Sequence, residues 1–314
     1  MTAADNKGPL VSIIVPSYNM GAFLADTLDS IFEQDYRPLD VVVVDGGSKD
    51  ETVEILRKYS EVHPELRWVS EPDDGPAHAV NKGLAMVKGD VAGIQSADDI
   101  YYPGAVRAAV EGFAAHPDAA IIYGDAEIVD AAGNYQWGPS QYLPFTLTRY
   151  LCGSTFISQS SSFFRPELAR DVGGCRAEYF VFDIDLWLRI LFRAPAYKID
   201  RVLSAYRRHE AQRDKETTQI LSSYRQMIEN SDEIKRAPWR VRLAAKAGTH
   251  MLVQHYNPTG SARYQSGQMW LAMLMYPPTV RAVWKRKALV PPPPSAKGVV
   301  RRLRRPVGEP RPGG

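Results

Sequence analysis

Between residues 10 and 100, short apolar runs alternate with amphipathic stretches of helical period, and this rhythm admits few folds. Leu10–Val15 is a β-branched run that ends at Pro16. Leu24, Thr27, Leu28, Ile31 and Phe32 then recur at helical spacing. Val41–Val44 is continuously apolar, which suits a strand buried on both faces. A capping box from Ser48 to Glu51 predicts the start of a helix carrying Val53, Leu56 and Tyr59. Arg67-Trp68-Val69 reads as a weaker strand, Val80, Leu84 and Val87 as another helix, and Val91–Gln95 as a fourth strand. Strands alternating with helices make βαβ units, hence a parallel sheet with right-handed crossovers.

In such a sheet, ligands bind outside the carboxyl ends of the strands. The first strand ends in Pro16-Ser17-Tyr18-Asn19, and the second in Asp45-Gly46-Gly47-Ser48. The third runs into Glu71-Pro72-Asp73-Asp74-Gly75, and the fourth into Ser96-Ala97-Asp98-Asp99. Aspartate disfavours strand interiors, and an unpaired buried carboxylate is costly. The Asp98-Asp99 pair therefore reads either as a turn and N-cap ahead of a helix over Ala105–Ala115, or as a ligand for a hard divalent cation. A clustered set of carboxylates makes sense when a cation neutralises it, or when some members accept hydrogen bonds from a base or ribose. The first β–α turn has only one glycine, Gly21, so it lacks the G-x-G-x-x-G of a dinucleotide fold; the P-loop pattern is absent as well.

Beyond residue 120 the pattern changes. Ala126–Val129, Ala132-Gly133-Asn134 and Tyr135–Trp137 predict a hairpin. Asp185–Leu191 predicts an apolar helix, and Tyr197–Ile199 and Leu203–Tyr206 two short strands. Residues 216–287 are mostly helical in pattern, broken at Pro238, Pro258 and Pro277-Pro278. The stripe of Met269, Trp270, Leu271, Met273, Leu274 and Tyr276 fits either packing on its own domain or a docking or membrane-contacting face. We expect residues 1–9 to be disordered, 10–215 to form the α/β domain, 216–290 a helical extension, and 291–314 a proline-rich, basic, disordered tail.

A net charge of +2 gives no steer toward nucleic acid. The tail is different: Arg281, Lys285, Arg286, Lys287, Lys297, Arg301, Arg302, Arg304, Arg305 and Arg311 face one acid, Glu309. It suits either an anionic membrane surface or a solvated end. The two cysteines, Cys152 and Cys175, have no metal-ligand spacing and read as reduced thiols. No apolar run approaches the ~20 residues needed to span a bilayer. These features predict a cytoplasmic protein, peripheral on the inner face of a membrane.

Several motifs, in order, resemble family-2 glycosyltransferases. They are Val11–Asn19, Val42–Thr52 with its Asp45-Gly46-Gly47-Ser48, Ser70–Gly75, Ala79-Val80-Asn81-Lys82-Gly83, Gly89-Asp90 and Ser96–Asp99. The resemblance covers roughly residues 10–210. It implies an α/β GT-A fold with a mostly parallel, Rossmann-like sheet flanked by helices and followed by a helical C-terminal extension. It also implies a nucleotide-sugar donor, a UDP-sugar by preference, an inverting transfer, and Mn²⁺ or Mg²⁺. The acceptor would be a polysaccharide or a lipid-linked glycan.

Carried over residue by residue, Pro16, Ser17 and Tyr18 would line the nucleoside site, Asp45 would accept from the base, and Asp73 would lie near base or ribose. Asp98 matches the metal-binding second aspartate of the family's DxD, while Ser96 replaces the first. Asp99 would cap the following helix. Phe182-Asp183-Ile184-Asp185-Leu186-Trp187-Leu188-Arg189 resembles the segment bearing the catalytic base, with Phe182 where a glutamate is usual. Asp183 is the expected base and Asp185 the alternative. Within Arg207-Arg208-His209, His209 would join the metal, and Arg207 or Arg208 would hold the diphosphate. Gln159–Phe164 and Trp137 would shape the acceptor pocket. Ser96 and Phe182 keep one alternative open: a non-catalytic nucleotide-sugar-binding protein of a glycan assembly complex.

Overall fold

In the computed structural model, residues 8–138, 144–210, 212–256 and 262–278 are described. Strands β1 (Val11–Ser17), β2 (Leu39–Asp45), β3 (Leu66–Ser70) and β4 (Val91–Ile94) alternate with helices α1 (Gly21–Phe32), α2 (Thr52–Val62) and α3 (Pro76–Met86). All pairings among these four strands are parallel, as the alternation requires. Next come β5 (Ile100–Tyr101), α4 (Ala105–Ala115), β6 (Ile121–Asp130), β7 (Tyr135–Trp137), α5 (Leu147–Leu151), β8 (Ser162–Phe164), α6 (Pro166–Asp171), α7 (Phe182–Leu191) and β9 (Ala196–Arg208). The sheet runs β3-β2-β1-β4-β8-β6-β9-β5, with β7 on β6. Its second half is mixed, because β8 lies antiparallel to both β4 and β6.

Strand order reverses at β1, which has β2 on one side and β4 on the other. That switch point opens a crevice at the carboxyl ends of β1 and β4. Two apolar layers hold the sheet. Ile13, Val15, Val41 and Val43 pack with Leu24, Leu28 and Leu56 on one face. Ile14, Val42 and Val44 pack with Val80, Leu84 and Trp187 on the other. Each fully buried side chain of this size contributes about 1.5–3 kcal/mol. Helix α3 approaches β1 closely enough that a Cβ on Gly83 would stand 2.4 Å from Ile14 Cγ2.

Two local expectations change. The predicted strands 197–199 and 203–206 are one strand, β9, whose pairing with β6 shifts register near Asp125. The predicted capping box does not form: α2 starts at Thr52, and its first turn is tied by Asp50, which accepts from Thr52 N at 3.1 Å and Thr52 Oγ1 at 2.6 Å.

The C-terminal helices are α8 (Thr217–Asn230), α9 (Asp232–Arg236), α10 (Trp239–Tyr256) and α11 (Ala262–Met275). They share a core with the α/β domain: Ile220, Tyr224, Met227 and Ala244 pack on Leu151, Tyr179, Val181 and Leu188. Residues 1–7 and 279–314, including the expected basic tail, lie outside the described residues. Among the described residues no helix is long and apolar enough to cross a membrane.

Candidate active site

The carboxyl ends of β1, β2 and β3 are level, with Ser17 paired to Asp45 and Asp45 to Ser70. Asp45 is fully buried. A buried carboxylate needs donors, and Asp45 has four. Its Oδ2 accepts from Gly47 N at 3.1 Å, Ser48 N at 2.9 Å and Ser70 Oγ at 2.6 Å, and its Oδ1 accepts from Ser48 Oγ. Asp45 therefore builds this turn. The expected acceptor for a base is occupied by its own loop and by Ser70 at the end of β3, and Ser48, expected as a helix cap, is part of that loop. Ser48 Oγ also accepts from Asn19 N at 2.7 Å, while Asn19 takes φ +52° and accepts from Lys49 N.

This knot leaves Tyr18 on the rim, 57% exposed. Pro16 is tolerated at the end of β1 because β4 pairs only with Val11–Ile14, so no ladder bond to β4 is lost there. Among the described residues Ser17 Oγ is buried without a hydrogen-bond partner, an orphan hydroxyl at the base of the crevice. Asp73 crosses over from the β3 loop: a Cβ on Gly46 would meet its carboxylate oxygens at 3.2 Å. Asp73 Oδ1 also accepts from Gly75 N at 2.8 Å. Pro16, Ser17, Tyr18, Asp45 and Asp73 are thus gathered at one sheet edge.

A second cluster forms where β4 and β9 end. His209 Nε2 lies 2.8 Å from Asp98 Oδ2. Both side chains are nearly buried, at 12% exposure for Asp98 and 7% for His209. The His209 ring packs on Phe23, with centroids 4.7 Å apart. Among the described residues no group of three or more His, Cys, Asp or Glu could hold a metal by itself. A carboxylate beside an imidazole is nevertheless a donor pair suited to a hard or borderline divalent cation whose remaining sites a ligand's oxygens fill.

The resemblance implied that Arg207 holds a diphosphate. The structure places it elsewhere. Its guanidinium is buried: Nε donates to Asp98 O at 2.8 Å, Nη1 to Ala131 O at 3.0 Å and Nη2 to Asp26 Oδ2 at 2.9 Å. Its backbone N–H donates to Asp99 Oδ1 at 2.9 Å. Asp99 therefore fastens β9 and does not cap α4, whose N-cap is Gly104 with no side-chain cap bond. Arg207 clamps the backbone of the residue whose carboxylate faces His209. The residues that complete this clamp, Asp26 and Phe23, carry no readable signal in the sequence: both are ordinary positions of an amphipathic helix.

Asp183 and Asp185 both lie in the first turn of α7, where carboxylates are favoured. Asp185 is buried and bound to Arg189, whose Nε and Nη2 reach its Oδ2 at 2.9 and 2.6 Å. Arg189 in turn donates to Val172 O and Gly174 O, so this pair braces the loop ahead of α7. Among the described residues Asp183 has no ion pair of that kind. Burial pushes its carboxyl above the usual carboxylate range, while N–H groups at the helix start and the Arg213 guanidinium pull the other way. Arg213 lies over the Phe180 ring at 4.2 Å, four residues after His209. A cleft of about 260 Å³ is lined by Phe182 and Arg213 on one side and by Asp74, Pro76 and Ala77 on the other. The segment that follows β9 therefore reaches both carboxylate sites.

The Asn81-Lys82-Gly83 motif is structural. Asn81 Oδ1 accepts from Cys175 N at 2.7 Å and Nδ2 donates to Cys175 O at 2.8 Å, tying α3 to the loop before α7. The expected acceptor segment 159–164 is mostly core. Ser162–Phe164 is β8 in mid-sheet, and Ser160, Ser161 and Ser204 share a buried hydroxyl chain. Only Gln159 reaches toward the site, donating to Ser96 Oγ at 3.3 Å. Trp137 is exposed and lies under the Arg208 guanidinium at 4.5 Å.

The sequence profile of glycosyl transferase family 2 matches residues 12–173, more than half of the 314 residues. An uncharacterized glycosyltransferase of Rickettsia typhi is 26% identical over 261 residues, 79% of each chain. The chondroitin synthase of Escherichia coli is 31% identical over 141 residues, which is 43% of this chain and 21% of that enzyme. This chain likewise spans 35% of a Rickettsia felis glycosyltransferase with which it shares 31% identity. Among solved structures, Staphylococcus aureus TarS (residues 1–349, with UDP-GlcNAc) superposes with a TM-score of 0.66 at 18% identity, covering 87% of this chain and 81% of that one. The mannosyltransferase PcManGT of Pyrobaculum calidifontis, with GDP-Man and Mn²⁺, gives 0.62 at 20% identity over 90% and 89%. The fold is thus GT-A, and the protein belongs to glycosyl transferase family 2.

Proposed function

We propose that this chain transfers a sugar, with inversion, from a nucleotide-sugar donor to a hydroxyl of a polysaccharide or lipid-linked glycan. The observation that carries the proposal is the 2.8 Å approach of Asp98 Oδ2 to His209 Nε2 beyond the ends of β4 and β9. Bound nucleotide sugars in TarS and PcManGT, and the Mn²⁺ in the latter, support this reading. So do chondroitin and hyaluronan synthases among the partial relatives.

In this scheme Tyr18 closes over the base, the Ser17 hydroxyl takes a bond from the nucleoside, and Asp73 meets the ribose. Asp98 and His209 would hold Mn²⁺ or Mg²⁺, which would supply charge stabilisation for the departing diphosphate. Arg207 fixes the backbone of Asp98, so the carboxylate is held in one orientation. Asp183 takes the proton of the attacking acceptor hydroxyl. A carboxyl raised by burial is the better base, because its proton affinity is closer to that of the group it must accept from. Asp185 is withdrawn from this role by Arg189.

The test is turnover of UDP- and GDP-sugars by purified protein with Mn²⁺. Release of the nucleoside diphosphate that stops on EDTA and in Asp98→Asn supports transfer. Tight donor binding with no release from any donor would instead favour the non-catalytic alternative.

A further inference from the structure

The outward face of α11 has no counterpart in the sugar site. Its inward face is accounted for: Ala272 packs with Ala247 and Met251, and His250 Nδ1 meets Gln268 Oε1 at 2.5 Å. On the other side Trp270 is 61% exposed, Leu271 42% and Leu274 78%. Trp239 begins α10 beside the end of α11 and is 60% exposed, with the Arg240 guanidinium 5.4 Å from its ring centroid. Exposed tryptophan and leucine beside arginine suit a water–lipid boundary, where the ring and chain enter the acyl region and the cation stays at headgroup level.

The sequence adds charge at the same end. Arg281 follows Met275 by six residues, a reach of at most about 20 Å. Arg281, Lys285, Arg286 and Lys287 come with no acid among them, and six further cations follow against Glu309 alone. The sequence therefore adds a run of cations C-terminal to the helix that carries the exposed apolar face. A second copy of the chain would bring the same cations to the contact, which argues against self-association there.

We infer that the outer face of α11, with Trp239 and Arg240, docks on an anionic lipid bilayer. Apolar insertion and charge attraction act together, and neither alone gives stable anchoring.

The test is sedimentation of the full chain with phosphatidylcholine vesicles, with and without phosphatidylglycerol, read also by blue shift of tryptophan emission. Binding is expected only to the anionic vesicles. It should fall at about 0.5 M salt, where the screening length shrinks to about 4 Å. Trp270→Ser with Leu274→Ser should lower partitioning at least about tenfold. Lys285→Glu, Arg286→Glu and Lys287→Glu together should lower it at least about a hundredfold, since each cation near such a surface contributes about fivefold. All these positions are on the surface or beyond α11, so an unchanged thermal midpoint shows that the variants fold. Equal binding to neutral vesicles, or no binding to either kind, overturns the proposal. A lipid-free dimer that the Trp270 and Leu274 substitutions dissolve also overturns it, in favour of a second copy.

Discussion

Asp98 Oδ2 and His209 Nε2 lie 2.8 Å apart although 111 residues separate them in the chain. One is set by the end of β4 and the other by the end of β9, and β8 and β6 stand between those strands in the sheet. Under the proposed function, Asp98→Asn and His209→Ala each weaken Mn²⁺-dependent binding of a nucleoside diphosphate by at least about tenfold. Isothermal titration with and without Mn²⁺ checks this. Unchanged metal dependence in both variants would remove the pair from the donor site.

Asp183 leads to a different pattern. Asp183→Asn should lower turnover by about 10²–10⁴ while leaving donor affinity in place, as expected of a proton acceptor. The base must be deprotonated to act, and burial raises its pKa. Activity should therefore fall on the acid side at a pH above the ordinary carboxylate range. Arg213 opposes that rise, so Arg213→Ala should move the acid limb to still higher pH. A pH–rate profile of the two proteins decides; a limb that moves downward contradicts the electrostatic assignment.

Arg207 is expected to matter for stability. Arg207→Met leaves the Asp26 carboxylate and the Asp98 and Ala131 carbonyls without their guanidinium donor, and should cost about 3 kcal/mol or more in urea unfolding. Asp26→Asn combined with Arg207→Met should be less harmful than the sum of the two, since they share one ion pair. If Arg207→Met unfolds normally and loses only diphosphate affinity, the clamp reading fails.

Gly83→Ala tests the α3–β1 contact. The new methyl would stand 2.4 Å from Ile14 Cγ2, so the helix must move. A loss of about 1–3 kcal/mol is expected. Ile14→Ala in the same chain should recover part of it, measured by thermal unfolding.

Pro16, Tyr18, Asp45, Asp73 and Asp98 could be placed at strand ends from sequence because apolar runs with period-matched helices leave little choice of topology, and the topology dictates where loops converge. The sequence also located Asp183 at a helix start and His209 after a late strand. It could not say what each side chain touches. Asp45 and Arg207 carry the residue types of ligand-binding groups, yet one is consumed by three donors of its own turn and by Ser70 of β3, and the other by Asp98, Ala131 and Asp26. Asp185, the alternative base, is held by Arg189 one helical turn away. Residue type and spacing are local properties and survive in a one-dimensional reading. Which buried charge meets which donor is set by contacts between residues as far apart as Asp26 and Arg207, and only the folded chain decides those.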